Sequence, residues 1–166
     1  MGGLPVIYLE FSDLPEDFEP SFEAVGGFLE NEGEILLLLR RADKSQGNTW
    51  GIPTGKIEAG ETPPQAMARE LQEETGYDVC PLACHLFQKI YVRYEGRYDF
   101  IYYIFHIPTE TRQCVKTSPS EHQGARWMSP SKALEMHRNY REPDLVEDLD
   151  CCIELFYGEW VEISVL

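Results

Sequence analysis

A chain of 166 residues, 43% hydrophobic and 26% charged, has the size and mixture of one ordinary globular domain, which buries roughly 70% of its unfolded surface. The net charge of −15 argues against nucleic-acid backbones and anionic membranes as partners, because both need a basic footprint; it also repels phosphorylated ligands at long range, so an anionic substrate would need metal ions or local arginine and lysine. The longest aliphatic run, residues 35–39, is far shorter than the ~20 residues of a membrane span, and Met1-Gly2-Gly3-Leu4-Pro5 has no basic patch leading into an apolar segment, so the expected location is the cytoplasm.

Residues 6–10 read as a strand and the acidic, proline-bearing stretch 12–20 as a loop. Residues 23–30 and 34–40 are apolar stretches joined by Asn31-Glu32-Gly33, the pattern of a hairpin. Residues 44–49 are polar and contain Gly47-Asn48, hence a loop. Thr62 opens a helix: Pro63 suits its first position, Thr62 with Gln65 makes a capping box, and Gly76 closes it in the left-handed conformation. Two aromatic-rich runs, 82–94 and 97–107, join at Glu95-Gly96 as long paired strands, and 125–128 is a further short strand. Ser129-Pro130 starts a brief helix. Glu142-Pro143 starts the last one, where Leu145, Val146, Leu149, Cys152, Ile153 and Phe156 recur at helical spacing before Gly158. Strands mixed with three helices predict an α/β (α+β) fold with a sheet covered on both faces. One domain over 1–166 is expected, with residues 1–22 as an amino-terminal extension and a monomer or homodimer as the assembly. The five cysteines (Cys80, Cys84, Cys114, Cys151 and Cys152) lack Cys-x-x-Cys or zinc spacing and read as small buried hydrophobes in a reducing compartment.

On a helical wheel centred on Glu70, Glu74 falls about 40° to one side and Glu73 about 60° to the other. The three carboxylates share one face, beside an apolar stripe of Met67, Ala68 and Leu71. Like charges four residues apart repel by roughly 0.2–0.5 kcal/mol, and negative charge in a last helical turn costs about 0.3–1 kcal/mol. A divalent cation reverses both penalties. Oxygen ligands without Cys or His select a hard ion, Mg²⁺ or Mn²⁺. By itself such a face would be a solvated acidic surface; its frame changes the reading.

That frame runs from Gly55 through Glu61 to Arg69-Glu70-Leu71-Gln72-Glu73-Glu74-Thr75-Gly76-Tyr77. It resembles the Nudix box, G-x5-E-x7-R-E-U-x-E-E-x-G-U with U a bulky apolar residue, at each fixed position; Tyr77 stands where an aliphatic is usual. The resemblance implies a Nudix-type α/β/α sandwich with a mixed β-sheet between helices, and a pyrophosphohydrolase that uses Mg²⁺ or Mn²⁺. By position it implies Glu73, Glu74 and the Gly55 carbonyl as metal ligands, Glu70 as ligand or general base, and Arg69 with Glu61 as the pair that orients them. Residues 35–41 and Trp50-Gly51-Ile52-Pro53-Thr54-Gly55-Lys56 are similar to the MutT-like branch. This implies phosphate contacts from Arg41 and Lys56, with Arg40 able to replace Arg41; Thr54 stands where that branch usually has glycine. Glu121, six residues before Trp127, matches an extra metal-binding or water-activating glutamate. Tyr102 and Tyr103 are candidates to stack on a base, while the branch's base-reading asparagine has no counterpart in register.

The expected reaction is release of a nucleoside monophosphate from a nucleoside triphosphate. Sugar nucleotides and dinucleoside polyphosphates are alternative substrates, and a non-catalytic nucleotide sensor is the alternative of another class.

Overall fold

The computed structural model describes residues 5–10, 13–94, 96–139 and 144–163. β1 (Val6–Leu9) is an edge strand, and β2 (Pro20–Asn31) and β3 (Glu34–Arg40) form the expected hairpin about Glu32-Gly33. Two short strands follow, β4 (Trp50–Gly51) and β5 (Thr54–Lys56), and then helix α1 (Pro63–Thr75). The helix has the capping box read from the sequence: the Thr62 amide donates to Gln65 Oε1 at 2.9 Å and the Gln65 amide to Thr62 Oγ1 at 3.4 Å. Gly76 closes it at φ 78°, a conformation that costs glycine no side-chain clash. The chain continues through β6 (His85–Tyr94), β7 (Tyr98–Pro108), β8 (His122–Met128), α2 (Pro130–Arg138) and α3 (Leu149–Ile163).

The strand order is β1-β6-β7-β2-β3-β4, with β5 added to β2 and β8 added to β3. β2 and β7 run parallel and every other pair is antiparallel. The run from Ile35 to Leu38 is fully buried because both faces of the sheet are covered, which removes the usual alternation. Val25, Leu36, Leu38 and Phe105 pack with Ala66, Met67 and Leu71 of α1. Phe28, Ile35, Leu37 and Ile104 pack with Ala133 and Leu134 of α2 and Leu149, Cys152 and Ile153 of α3. The result is the α/β/α sandwich with a mixed sheet.

One topological detail positions the site. β2 and β3 pair directly only at Glu30–Ile35 and Asn31–Glu34. Beyond that β2 takes β5 as neighbour, while β3 takes β4 and β8. The sheet therefore splits into two branches, and the link Ile52-Pro53 crosses between them, with the Gly27 amide donating to the Pro53 carbonyl at 3.0 Å.

Several boundaries differ from the sequence reading. Pro81–Ala83 is a 3₁₀ turn, so the strand expected from residue 82 starts at His85; β8 starts at His122, before the expected residue 125. Glu142 and Pro143 lie outside the described residues. The last helix begins at Leu149 and runs through Gly158 to Ile163. Leu145 and Val146 precede it as a strap beside β4: the Trp50 amide donates to the Asp144 carbonyl at 2.7 Å and the Val146 amide to the Trp50 carbonyl at 2.8 Å. The helical spacing of Leu145 and Val146 is thus coincidental, since burial against Trp50 needs apolar side chains there too. Of the five free cysteines only Cys84 and Cys152 are buried, which corrects the expectation that all of them are core residues.

Candidate functional site

α1 brings its acidic edge to the loop before it because Met67 and Leu71, both fully buried, fix its rotation against the sheet; truncating either to alanine costs about 2–5 kcal/mol. Glu70 and Glu74 are buried on the flank of that packing surface. The loop makes room for them. A Cβ at Gly55 would lie 2.0 Å from the carboxylate carbon of Glu70, so only glycine allows this approach. At the next residue back, the Thr54 amide donates to Glu74 Oε2 at 2.9 Å.

Arg69 is the internal counter-ion. Its Nε and Nη2 donate to both oxygens of Glu61, at 2.7 and 3.0 Å, and its Nη1 donates to Glu70 Oε1 at 2.7 Å and to Glu73 Oε2 at 3.3 Å. Nη2 also reaches the Lys56 carbonyl at 3.0 Å. This fork ties the Glu61 end of the loop to the helix, as bidentate guanidinium–carboxylate geometry does well. Arg69 holds the Glu61 carboxyl below the usual carboxylate range. Glu70 is pushed above that range by burial, against the pull of Arg69. Among the described residues the Thr54 amide is the one hydrogen-bond partner of Glu74, and burial pushes its carboxyl up to about 8.

Glu73 is exposed on the outer side. Glu121 lies at the loop before β8, accepts from Lys44 Nζ at 3.0 Å, and is near enough to Glu74 to act on its charge, as is Arg40. Among the described residues no three acidic, histidine or cysteine side chains already converge as a cation cage; Glu70 and Glu73 face Arg69.

On the other side of the loop 52–56 lies a small cavity of about 50 Å³, lined by Arg40, Thr54, Tyr102, His122, Asp148 and Cys152 among others. It occupies the split between the two branches of the sheet and is roofed by α3. The Tyr102 hydroxyl is 3.5 Å from Thr54 Oγ1. Asp148 has a left-handed backbone at φ 70°, and its carbonyl accepts the Cys152 amide at 3.1 Å. Among the described residues no hydrogen bond reaches its carboxylate, and burial pushes that group up to about 8. A strained, desolvated, unpartnered acid beside a cavity is the kind of group that marks a ligand contact.

The structure brings Gly55, Glu61, Arg69, Glu70, Glu73 and Glu74 together, with Glu121 and Arg40 within electrostatic reach of Glu74. Of the two arginines, Arg40 lines the cavity; Arg41 turns outward to Asp43 at 2.9 Å and the Pro119 carbonyl at 2.9 Å. Lys56 pairs with Ala24, and its Nζ rests 4.4 Å over the Phe22 ring. Tyr102 lines the cavity, but Tyr103 is on the opposite, α1-facing side of the sheet, its hydroxyl donating to Glu23 at 2.9 Å. Sequence reasoning missed Asp148 and His122. His122 is buried, and its Nδ1 has no hydrogen-bond partner among the described residues. Its place next to Glu121 was the one available signal; Asp148 looked like any polar residue of an acidic helix.

The sandwich and its loop–helix geometry are those of the Nudix class. The NUDIX domain family model matches residues 20–149, and the chain belongs to that family. It is similar to an 8-oxo-dGTP diphosphatase of Escherichia coli (strain K12), with 40% identity over 80 residues that make up 48% of this chain and 60% of that one. A CTP pyrophosphohydrolase of the same organism is 33% identical over 118 residues, 68% of this chain and 79% of that one. The crystal structure of a MutT protein from Methanosarcina mazei Go1 superposes with a TM-score of 0.70 at 26% identity, covering 85% of this chain and 96% of that one. This chain is a MutT-like Nudix protein, grouped with hydrolases that act on acid anhydrides in nucleotide-like substrates. Nudix hydrolases generally use divalent metals. No helix among the described residues is long and apolar enough to cross a membrane.

Proposed function

We propose that the protein is a single-domain Mg²⁺- or Mn²⁺-dependent pyrophosphohydrolase that releases a nucleoside monophosphate from a nucleoside triphosphate. The observation that carries this reading is the pair Glu70 and Glu74, buried and desolvated on one side of the loop whose other side lines the cavity. The donor set fits a hard divalent ion: the carboxylates of Glu70, Glu73, Glu74 and Glu121 and the Gly55 carbonyl are all oxygens. When bound, such an ion supplies positive charge for phosphate oxygens and acidifies water.

The chain's own residues do the rest. Arg69 and Glu61 hold the orientation of Glu70. Glu70 and Glu121 are the two carboxylates that can accept the proton of the attacking water. Arg40 offers phosphate a fixed positive charge in an otherwise acidic protein, with Arg41 and Lys56 as outer contacts. The base docks at the mouth of this cavity with its N–H edge entering, Tyr102 in the wall and Asp148 as the acceptor; Tyr103, on the other face, is left without a part in this reading.

The test is a panel of nucleoside di- and triphosphates, sugar nucleotides and dinucleoside polyphosphates, assayed with Mg²⁺ and Mn²⁺ and read by product mass. A triphosphate giving monophosphate and pyrophosphate, and losing turnover in Glu74→Gln, supports the proposal. Binding without turnover across the panel supports a nucleotide sensor, and turnover untouched by Glu74→Gln overturns the assignment of the site.

A further inference from the structure

Asp148 occupies an unfavourable backbone conformation and its side chain has no hydrogen bond among the described residues, so other groups hold the wall that carries it. That wall is the strap Asp144 to Asp148. It is seated on Trp50 by the two backbone hydrogen bonds described above and by buried Leu145. The Glu147 amide donates to Gln46 Oε1 at 2.7 Å. The strap's beginning and the helix after it are spanned by one side chain from α2. His137 places Nδ1 2.9 Å from Asp144 Oδ1 and Nε2 3.5 Å from Asp150 Oδ2. Asp144 is itself set by accepting the Leu145 amide at 2.6 Å.

We propose that His137 is a positioning residue for the cavity: its ring clasps Asp144 and Asp150, and through them fixes where Asp148 meets the ligand. This rests on the reading that the substrate's base docks at the mouth of the cavity. The clasp is about one-third exposed at all three members, and polar contacts of that exposure contribute little to global stability. A second tie between the helices, Arg138 to Glu154 at 3.0 Å, also keeps α2 against α3 without His137. The clasp should therefore act on the position of the strap and not on the survival of the fold.

Two variants separate these roles. His137→Leu removes both contacts; His137→Asn keeps a donor able to reach Asp144. Amide exchange of the peptide containing Leu145 and Val146, read by mass spectrometry without any ligand, should speed up about tenfold in His137→Leu while α1 is unchanged. With dGTP and Mg²⁺, KM should rise about tenfold at a kcat within about twofold, and His137→Asn should recover most of it. In an Asp148→Asn background the same substitution should add less than about twofold, because the two residues act through one contact. Unchanged exchange in the strap overturns the clasp. Faster exchange with unaltered KM, or an effect fully additive with Asp148→Asn, overturns its role in positioning. Absence of dGTP turnover in the wild-type protein counts against the proposed function, and the exchange measurement still decides whether the clasp exists.

Discussion

On the α1 side of the loop 52–56 the candidate functional groups come from one short stretch and are cross-linked by a single guanidinium. On the cavity side they come from β3, β7, β8 and the strap before α3, and the Asp148 carboxylate has no hydrogen-bond partner among the described residues. The first region is over-determined: Glu61, Glu70, Glu73 and the Lys56 carbonyl all hold Arg69. The second is assembled from elements far apart in sequence and, among the described residues, leaves the Asp148 carboxylate and His122 Nδ1 open. The difference matches two tasks. A reacting phosphate needs fixed charges whose placement cannot drift, whereas ligand selection needs unsatisfied groups that the right ligand completes.

The largest effect that should separate the two regions comes from Glu74. Glu74→Gln is expected to lower kcat/KM about a thousandfold, the several kcal/mol that removal of charge from a metal site costs, with the metal-free fold intact on circular dichroism. Gly55→Ala is next. Its Cβ must displace the Glu70 carboxylate, so a loss of about a hundredfold in kcat is expected, while KM changes little because the cavity wall is untouched. A KM effect dominating that variant would break the division between the regions.

On the cavity side, Asp148→Asn should leave kcat within about threefold and change the ratio of KM values between purine and pyrimidine triphosphates about tenfold, the worth of one buried hydrogen bond. The gentlest effect, taken over a single pH unit, is a pH dependence of stability. Glu74 has a folded pKa near 8, raised by burial, so between the unfolded carboxylate range near 4.5 and pH 8 the folded state holds a proton that the unfolded state has lost. Stability of the chelator-treated protein should accordingly fall as pH rises through this window, by at most about 1.4 kcal/mol per pH unit for one proton. Glu74→Gln should flatten the slope in thermal melts from pH 5 to pH 8, and an unaltered slope would contradict the burial of that carboxylate.

The same contrast explains what could be read in the sequence. The acidic edge was legible because it is local: a period of 3.6 residues puts Glu70, Glu73 and Glu74 on one face, Thr62 and Gly76 mark the ends, and fixed spacing ties Gly55 and Glu61 to them. The cavity was not. Arg40 is the last residue of β3 and Arg41 lies beyond its end, so which of the two faces inward follows from where the strand stops, and a strand end has no sharp local signature. The strap was hidden because Leu145 and Val146, placed by pairing with Trp50, also satisfy helical spacing. Asp148 acquires its character only from the left-handed turn and the sheet branch opposite it.

Proton release on metal binding tests the central claim most directly. Calorimetric titration of Mn²⁺ at pH 7, repeated in buffers of different ionisation heat, counts the protons released per ion. With Glu74 protonated before the ion arrives, close to one proton per ion is expected, and Glu74→Gln should abolish the release and weaken binding. Tight Mn²⁺ binding with no proton released, or with an undiminished affinity in Glu74→Gln, would place the metal elsewhere in the molecule.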